Sequence, residues 1–122
     1  KFLNRISVGN HQVFIDEPLS VGGGDLGMTP YQFLIAALGG CSSMTMKLYA
    51  DNKGLPLEKV QIELSHKKVE KDGAKVDHIV KKMTAIGEAL TEEQKQKLYE
   101  IAEKCPVNRT LKSEIIIESI YN

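Results

Sequence analysis

The sequence predicts an α+β domain, and three observations carry that prediction. Two hairpin patterns, "NRISVGNHQVFIDE" and "LEKVQIELSHKKVEKDG" followed by "VDHIVKKMTAIGEA", alternate apolar and polar residues around glycine-containing turns. Two segments, "TPYQFLIAALGGCSSMTMKLYADN" and "TEEQKQKLYEIAEKC", carry helix-start signals and helical spacing. The resulting order β-β-α-β-β-α-β has too few helices for a doubly wound parallel sheet. At 122 residues the chain suits one compact domain spanning 1-122.

In the first hairpin the turn falls at Gly9-Asn10. "PLSVGGGDLGM" follows, with four glycines and one proline in eleven residues, and reads as a mobile loop leading into a helix. Thr29 is the expected N-cap and Pro30 the first helical residue, where its missing N–H costs nothing. The helix should run to about Asn52 and stop at Gly54, with Pro56 beyond. Its first half, "FLIAALGG", is apolar on all sides, so it is expected at the centre of the protein, covered all round.

In the long hairpin, Val60, Ile62 and Leu64 share one strand face and the opposite face is wet, with the turn at Lys71-Asp72-Gly73. Thr91 and Gln94 form a capping-box pattern, and Leu98, Ile101, Ala102 and Cys105 then recur at helical spacing. Pro106 should stop this second helix, placing Cys105 at its buried end. "SEIIIESIY" is expected to close the chain as a strand.

Sixteen Lys and Arg balance sixteen Asp and Glu, which argues against nucleic acid as a partner. No apolar run reaches the roughly 18 residues of a membrane span and no signal-peptide pattern opens the chain, so a cytoplasmic protein without a membrane partner is expected. The first residue is Lys1, which suggests that N-terminal residues are missing. Two cysteines are too few for a disulfide scaffold, and neither Cys-x-x-Cys nor a Cys/His cluster provides a metal site.

Cys41 and Cys105 are the candidate functional residues. A free cysteine is commonly a small buried hydrophobe. Two features set Cys41 apart: Gly39 and Gly40 each cost about 1 kcal/mol in a helix unless another element approaches there, and Ser42, Ser43 and Thr45 surround the sulfur with hydroxyls. A working thiol must ionise, and Cys41 lies too deep in the helix for the N-terminal dipole to help. Arg109, four residues after Cys105, is a candidate cation, equally readable as a surface ion-pair partner.

The stretch from "DEPLSVGGGDLGMTPYQFLIAALGGCSSMTMKLYADNKGLPLEKVQIELSH" together with "LTEEQKQKLYEIAEKCPVNRTL" resembles the OsmC/Ohr family of thiol-dependent hydroperoxide reductases. The shared motifs are the Gly-rich loop, a Thr-Pro opening a helix whose cysteine follows eleven residues after Pro30, and Cys105-Pro106. The resemblance implies an OsmC-like fold and an intertwined homodimer with a long central helix and active sites shared between subunits. It implies Cys41 as the attacking cysteine, oxidised to sulfenic acid by an organic hydroperoxide, and Cys105 as the resolving cysteine that closes a disulfide. It further implies no bound cofactor, the disulfide being reopened by a small thiol or a dithiol reductant protein. The pattern departs from the best-characterised branches at Tyr31, where they carry a glutamate that orders the thiolate pocket. Glu17, beside Asp16 before Pro18, is the substitute carboxylate, or else part of a solvated pair at a strand end. Phe33, Leu34, Leu38 and Met44 are expected to wall the site and favour organic over hydrogen peroxide. Two other readings remain: a module binding an apolar small ligand with structural cysteines, and a redox sensor that oxidises once.

Overall fold

A computed structural model describes residues 1–121. Its elements are strands β1 (Asn4–Val8) and β2 (His11–Ile15), helix α1 (Pro30–Lys53), strands β3 (Lys59–Lys71) and β4 (Ala74–Ile86), and helices α2 (Glu92–Ala102) and α3 (Pro106–Leu111). The architecture is α+β, with two antiparallel two-stranded sheets and one long helix. The chain divides into two compact units, Lys1–Ala36 and Ala37–Asn122.

In the N-terminal unit, β1 and β2 pair in register from Asn4↔Ile15 to Val8↔His11. The glycine-rich segment after them is more tightly tied than its composition suggests. Asp16 Oδ1 accepts from the Glu17 N–H at 2.8 Å, and Asp16 Oδ2 accepts from the Gly24 and Leu26 N–H groups at 3.1 and 3.2 Å. The Asp16 N–H donates to the Met28 carbonyl at 3.2 Å, beside a parallel bridge between Ile15 and Met28. One buried carboxylate thus satisfies three amides that a glycine-rich chain cannot pair among themselves. Those bonds hold the Asp16 carboxyl below the ordinary carboxylate range, the Glu17 amide acting most strongly against the opposing effect of burial.

Helix α1 begins and ends where its sequence signals fall. The Gln32 N–H donates to Thr29 Oγ1 at 3.2 Å while the Thr29 N–H donates to Gln32 Oε1 at 2.8 Å, a reciprocal cap. At the other end Gly54 takes φ 65°, the Leu55 N–H bonds the Ala50 carbonyl and the Gly54 N–H bonds that of Asp51, a Schellman ending.

In the C-terminal unit, β3 and β4 pair along their whole length, from Lys59↔Ile86 to Lys71↔Ala74, around Asp72 and Gly73 with φ 51° and 80°. Met46 and Ala50 of α1, Ala85 of β4, Leu98 and Ala102 of α2, and Leu57 and Leu90 of the connecting segments form the core. The Thr91–Gln94 capping box starts α2, and Tyr99 Oη accepts from the Ala85 N–H at 3.1 Å, tying α2 to β4.

Three expectations are corrected. The first half of helix α1 is not covered all round within the chain: Leu38 and Gly39 are buried, whereas Leu34 is exposed, and further along Ser42, Met46 and Ala50 continue the buried stripe while Met44 and Leu48 stay exposed. At 24 residues it is also long and apolar enough to cross a membrane, as the core helix of a soluble protein can be. The second helix stops at Ala102, so Cys105 is not its last turn but the N-cap of α3, which Pro106 opens rather than forbids. Finally, residues 114–121 form no strand among the described residues, because a strand needs an edge to pair with and this segment bonds to none; Ile116, Ile117 and Ile120 are exposed.

Candidate active site

The site is built where β3, β4 and the break between α2 and α3 meet α1. Leu64 and Lys81 face each other across the hairpin, so their side chains leave the same face. Leu64 reaches Gly39, where a methyl group would stand 2.6 Å from its Cδ1. Lys81 reaches one turn further along α1, its Nζ donating to Ser42 Oγ at 3.0 Å. The close approach that Gly39 permits is therefore what brings an ammonium within reach of the helix. At Gly40 nothing lies within 4 Å, so the expectation of close approach holds for one glycine of the pair.

Ser42 Oγ in turn lies 3.4 Å from Cys105 Sγ. An ammonium only donates, so Lys81 occupies an oxygen lone pair and leaves the Ser42 hydroxyl proton to point at the sulfur. The Asn108 N–H gives Cys105 Sγ a second hydrogen bond at 3.3 Å. The Asn108 side chain meanwhile donates to the Glu103 carbonyl at 2.9 Å, bracing the break between the helices. Lys81, with only 9% of its side chain exposed, has a carboxylate partner at 3.7 Å, Glu103 Oε1.

The two cysteines are free thiols in different surroundings. Cys105 is fully buried, whereas Cys41, one residue off the buried stripe, is part-exposed and lines an open groove of about 490 Å³ with Ala37, Gly40, Met44, Thr45, Leu48 and Pro106. Burial pushes the Cys105 thiol up; hydrogen bonds from Ser42, the Asn108 amide and Cys41, with the Lys81 charge, outweigh it and bring the thiol below its ordinary value. The sequence placed the hydroxyls around Cys41. In the structure Ser42 serves Cys105, and Thr45 Oγ1 turns back to donate to the Cys41 carbonyl at 2.8 Å.

Arg109 is exposed on α3 and has no ion pair among the described residues; the cation beside Cys105 is Lys81. Glu17 belongs to the N-terminal unit, where its backbone carbonyl accepts from the Asp25 N–H at 3.0 Å. Of the expected wall residues, Met44 lines the groove and Leu38 lies on the buried stripe, while Phe33 and Leu34 fall in the N-terminal unit. Sequence reading missed Lys81, Ser42 as a partner of Cys105, and Asn108. Lys81 had a signal: it shares strand parity with Ile79, Met83 and Ala85, a charge on an apolar face. Ser42 sits likewise at four-residue spacing between Leu38 and Met46. Among the described residues no three His, Cys, Asp or Glu side chains gather to hold a metal.

The fold and site define an α+β protein with two free thiols, one on an open apolar groove and the other held in a buried polar niche. The family model for OsmC-like proteins matches residues 22–119, and the chain belongs to that family. Solved structures agree in fold. An OsmC-like protein from Mycoplasma pneumoniae, 18% identical, superposes with a TM-score of 0.74 over 90% of this chain and 79% of its own. A Legionella pneumophila protein described as an organic hydroperoxide resistance protein OsmC and predicted redox protein, 15% identical, gives 0.65 over 92% and 90%. A Vibrio cholerae protein described as an organic hydroperoxide resistance protein, with captopril in one of its active sites, is 14% identical and gives 0.67 over 92% and 85%. No curated protein sequence matches the chain significantly.

Proposed function

We propose that the protein is a thiol-dependent peroxidase that reduces organic hydroperoxides to alcohols. The observation that carries this reading is a part-exposed thiol, Cys41, on an apolar groove that it shares with Pro106, the neighbour of a second, buried thiol, Cys105. Cys41 Sγ attacks the terminal oxygen of the hydroperoxide; the O–O bond breaks, the alkoxide takes up a proton and leaves as alcohol, and Cys41 becomes a sulfenic acid. Cys105 Sγ then attacks Cys41 Sγ, the S–S bond forms, and hydroxide leaves as water after protonation. An external thiol or dithiol restores the pair. The groove walls of Ala37, Met44, Leu48 and Pro106 favour an apolar substituent on the peroxide.

The working unit in this reading is a homodimer. Met44 and Leu48 at the groove, together with Ile116, Ile117 and Ile120, are apolar side chains that the single chain leaves between 62% and 89% exposed. A second copy covering them closes the groove over Cys41 and gives residues 114–121 an edge to pair with. Captopril, itself a thiol, in an active site of the Vibrio cholerae protein supports access of small organic thiols to sites of this fold.

The test is consumption of cumene hydroperoxide by the purified protein with a dithiol donor, alongside thiol counting by mass after stoichiometric peroxide. Turnover lost in Cys41→Ser, with a Cys41–Cys105 disulfide in the wild type, is expected. Undiminished activity in Cys41→Ser overturns the reading. A single oxidation without turnover converts it to the sensor reading, and no oxidation at all to the ligand-binding reading.

A further inference from the structure

The network around Cys105 is built on the sulfur that is closed to solvent. Three groups converge there: the Ser42 hydroxyl at 3.4 Å, the Asn108 amide at 3.3 Å, and the Lys81 ammonium, relayed through Ser42 at 3.0 Å. Cys41, the sulfur that faces the groove, shares that groove with Pro106, next to Cys105, and none of these three donors bonds to it. An ammonium with 9% exposure is costly to keep in place unless something nearby carries negative charge. Its carboxylate, Glu103, is half exposed and stands 3.7 Å away, so it does not by itself account for the buried ammonium.

We propose that the resting negative charge of the cysteine pair resides on buried Cys105, with Lys81 and Ser42 as the positioning residues that hold it, and that Cys105 is consequently the sulfur expelled when an external thiol opens the disulfide. The proposal rests on the Cys41–Cys105 disulfide of the preceding reading. In the resting state Cys41 is a thiol donating its S–H to the Cys105 thiolate. As Cys41 Sγ attacks the hydroperoxide, that proton passes to Cys105 and on to the departing alkoxide, leaving Cys105 as thiolate again, ready to attack the sulfenic acid. In the reductive half, the thiolate of the external donor attacks Cys41 Sγ, the only one of the two open to the groove. The Cys41–Cys105 bond breaks and its electron pair stays on Cys105, while the donor forms a mixed disulfide on Cys41. A second donor thiol then displaces Cys41. A disulfide opens faster when the departing thiol is the more acidic one, so the donors on Cys105 act on reduction and on resolution alike.

The groups acting on Cys105 come from each neighbouring element, Cys41 and Ser42 from α1, Lys81 from β4 and the Asn108 amide from α3, and Glu103 of the link between α2 and α3 stands beside Lys81. A cavity of about 520 Å³ lined by Lys81 and Glu103 adds Asp77, His78 and Lys112 to the ammonium's surroundings.

Two measurements test this. In the reduced full chain, thiolate absorbance is followed against pH. Cys41→Ser should keep the acidic thiolate and Cys105→Ser should lose it; the reverse pattern overturns the proposal. Lys81→Met and Ser42→Ala should move the titration upward, and Lys81→Arg should restore it in part, a pattern that a merely destabilised fold does not produce. Second, the disulfide is closed with diamide, opened with glutathione, quenched in acid and mapped by mass. Glutathione should sit on Cys41 in at least about tenfold excess over Cys105, and Lys81→Met should slow opening several-fold. Glutathione on Cys105, or opening rates indifferent to both Lys81→Met and Ser42→Ala, overturns it. Because diamide closes the bond without hydroperoxide, an inactive peroxidase with the expected adduct pattern refutes only the substrate reading. A pair that diamide cannot close refutes both.

Discussion

Leu64 of β3 packs directly onto Gly39 of α1, at a point where a methyl group would lie 2.6 Å from its Cδ1. Across the hairpin from Leu64 is Lys81, whose ammonium bonds Ser42 one turn along the same helix. A packing contact thus sets the reach of a charge. Gly39→Ala should destabilise the protein by up to roughly 2 kcal/mol, overpacking of about 1–3 kcal/mol being offset by a helix-propensity gain of about 1. It should also raise the Cys105 titration by lifting Lys81 away. Gly40→Ala, with open space around it, should instead stabilise by up to about 1 kcal/mol. Urea unfolding of the two variants checks the opposite signs; equal signs would remove the packing account.

Tyr99→Phe should cost about 1–3 kcal/mol, because it deprives the Ala85 N–H of its acceptor at a residue only 2% exposed. The unfolding midpoint measures this, and hydrogen exchange at Ala85 should accelerate more than at Val60, its cross-strand partner.

The depressed Cys105 thiol makes the stability of the reduced protein depend on pH. An acid held below its unfolded value binds fewer protons folded than unfolded, so its contribution is complete above the unfolded thiol pKa of about 8.5 and is lost as pH falls through the lower folded value. Urea midpoints with a phosphine reductant should therefore rise with pH across that window. Cys105→Ser should flatten the rise; the same slope in both proteins would contradict the assignment.

Asp16→Ala should loosen residues 17–28, whose amides at Glu17, Gly24 and Leu26 lose their acceptor. Faster proteolysis in that segment at neutral pH is the expected result. In the wild type the same segment should lose protection in acid, since a carboxyl below its ordinary value contributes above about 3.9 and ceases to as pH falls through its folded value.

Much of this fold was legible because its signals are local. Thr29-Pro30, Thr91 with Gln94, Gly54 and the turn at Asp72-Gly73 each specify a few neighbouring dihedrals, and each element begins or ends where they stand. What escaped the sequence depends on partners distant along the chain. Pro106 opens a helix, where its sequence context read as a stop, because Cys105 caps that helix. Lys81 and Ser42 are 39 residues apart, and nothing in either neighbourhood names the other. The two cysteines were visible as a pair, but which of them gathers the donors is a matter of one residue's offset on α1: Ser42 lies on the buried stripe and Cys41 beside it. The closing strand was misread for the opposite reason. "SEIIIESIY" has strand chemistry, and chemistry without an edge makes no strand.

That unpaired isoleucine run has a consequence for how the chain lives in solution. Its β-branched side chains suit pairing with almost any free strand edge, including the wrong one. In the homodimer proposed above, folding and assembly would become one equilibrium, and thermal stability would climb with protein concentration. Dilution, harmless to a self-sufficient domain, would then act on such a dimer as a denaturant.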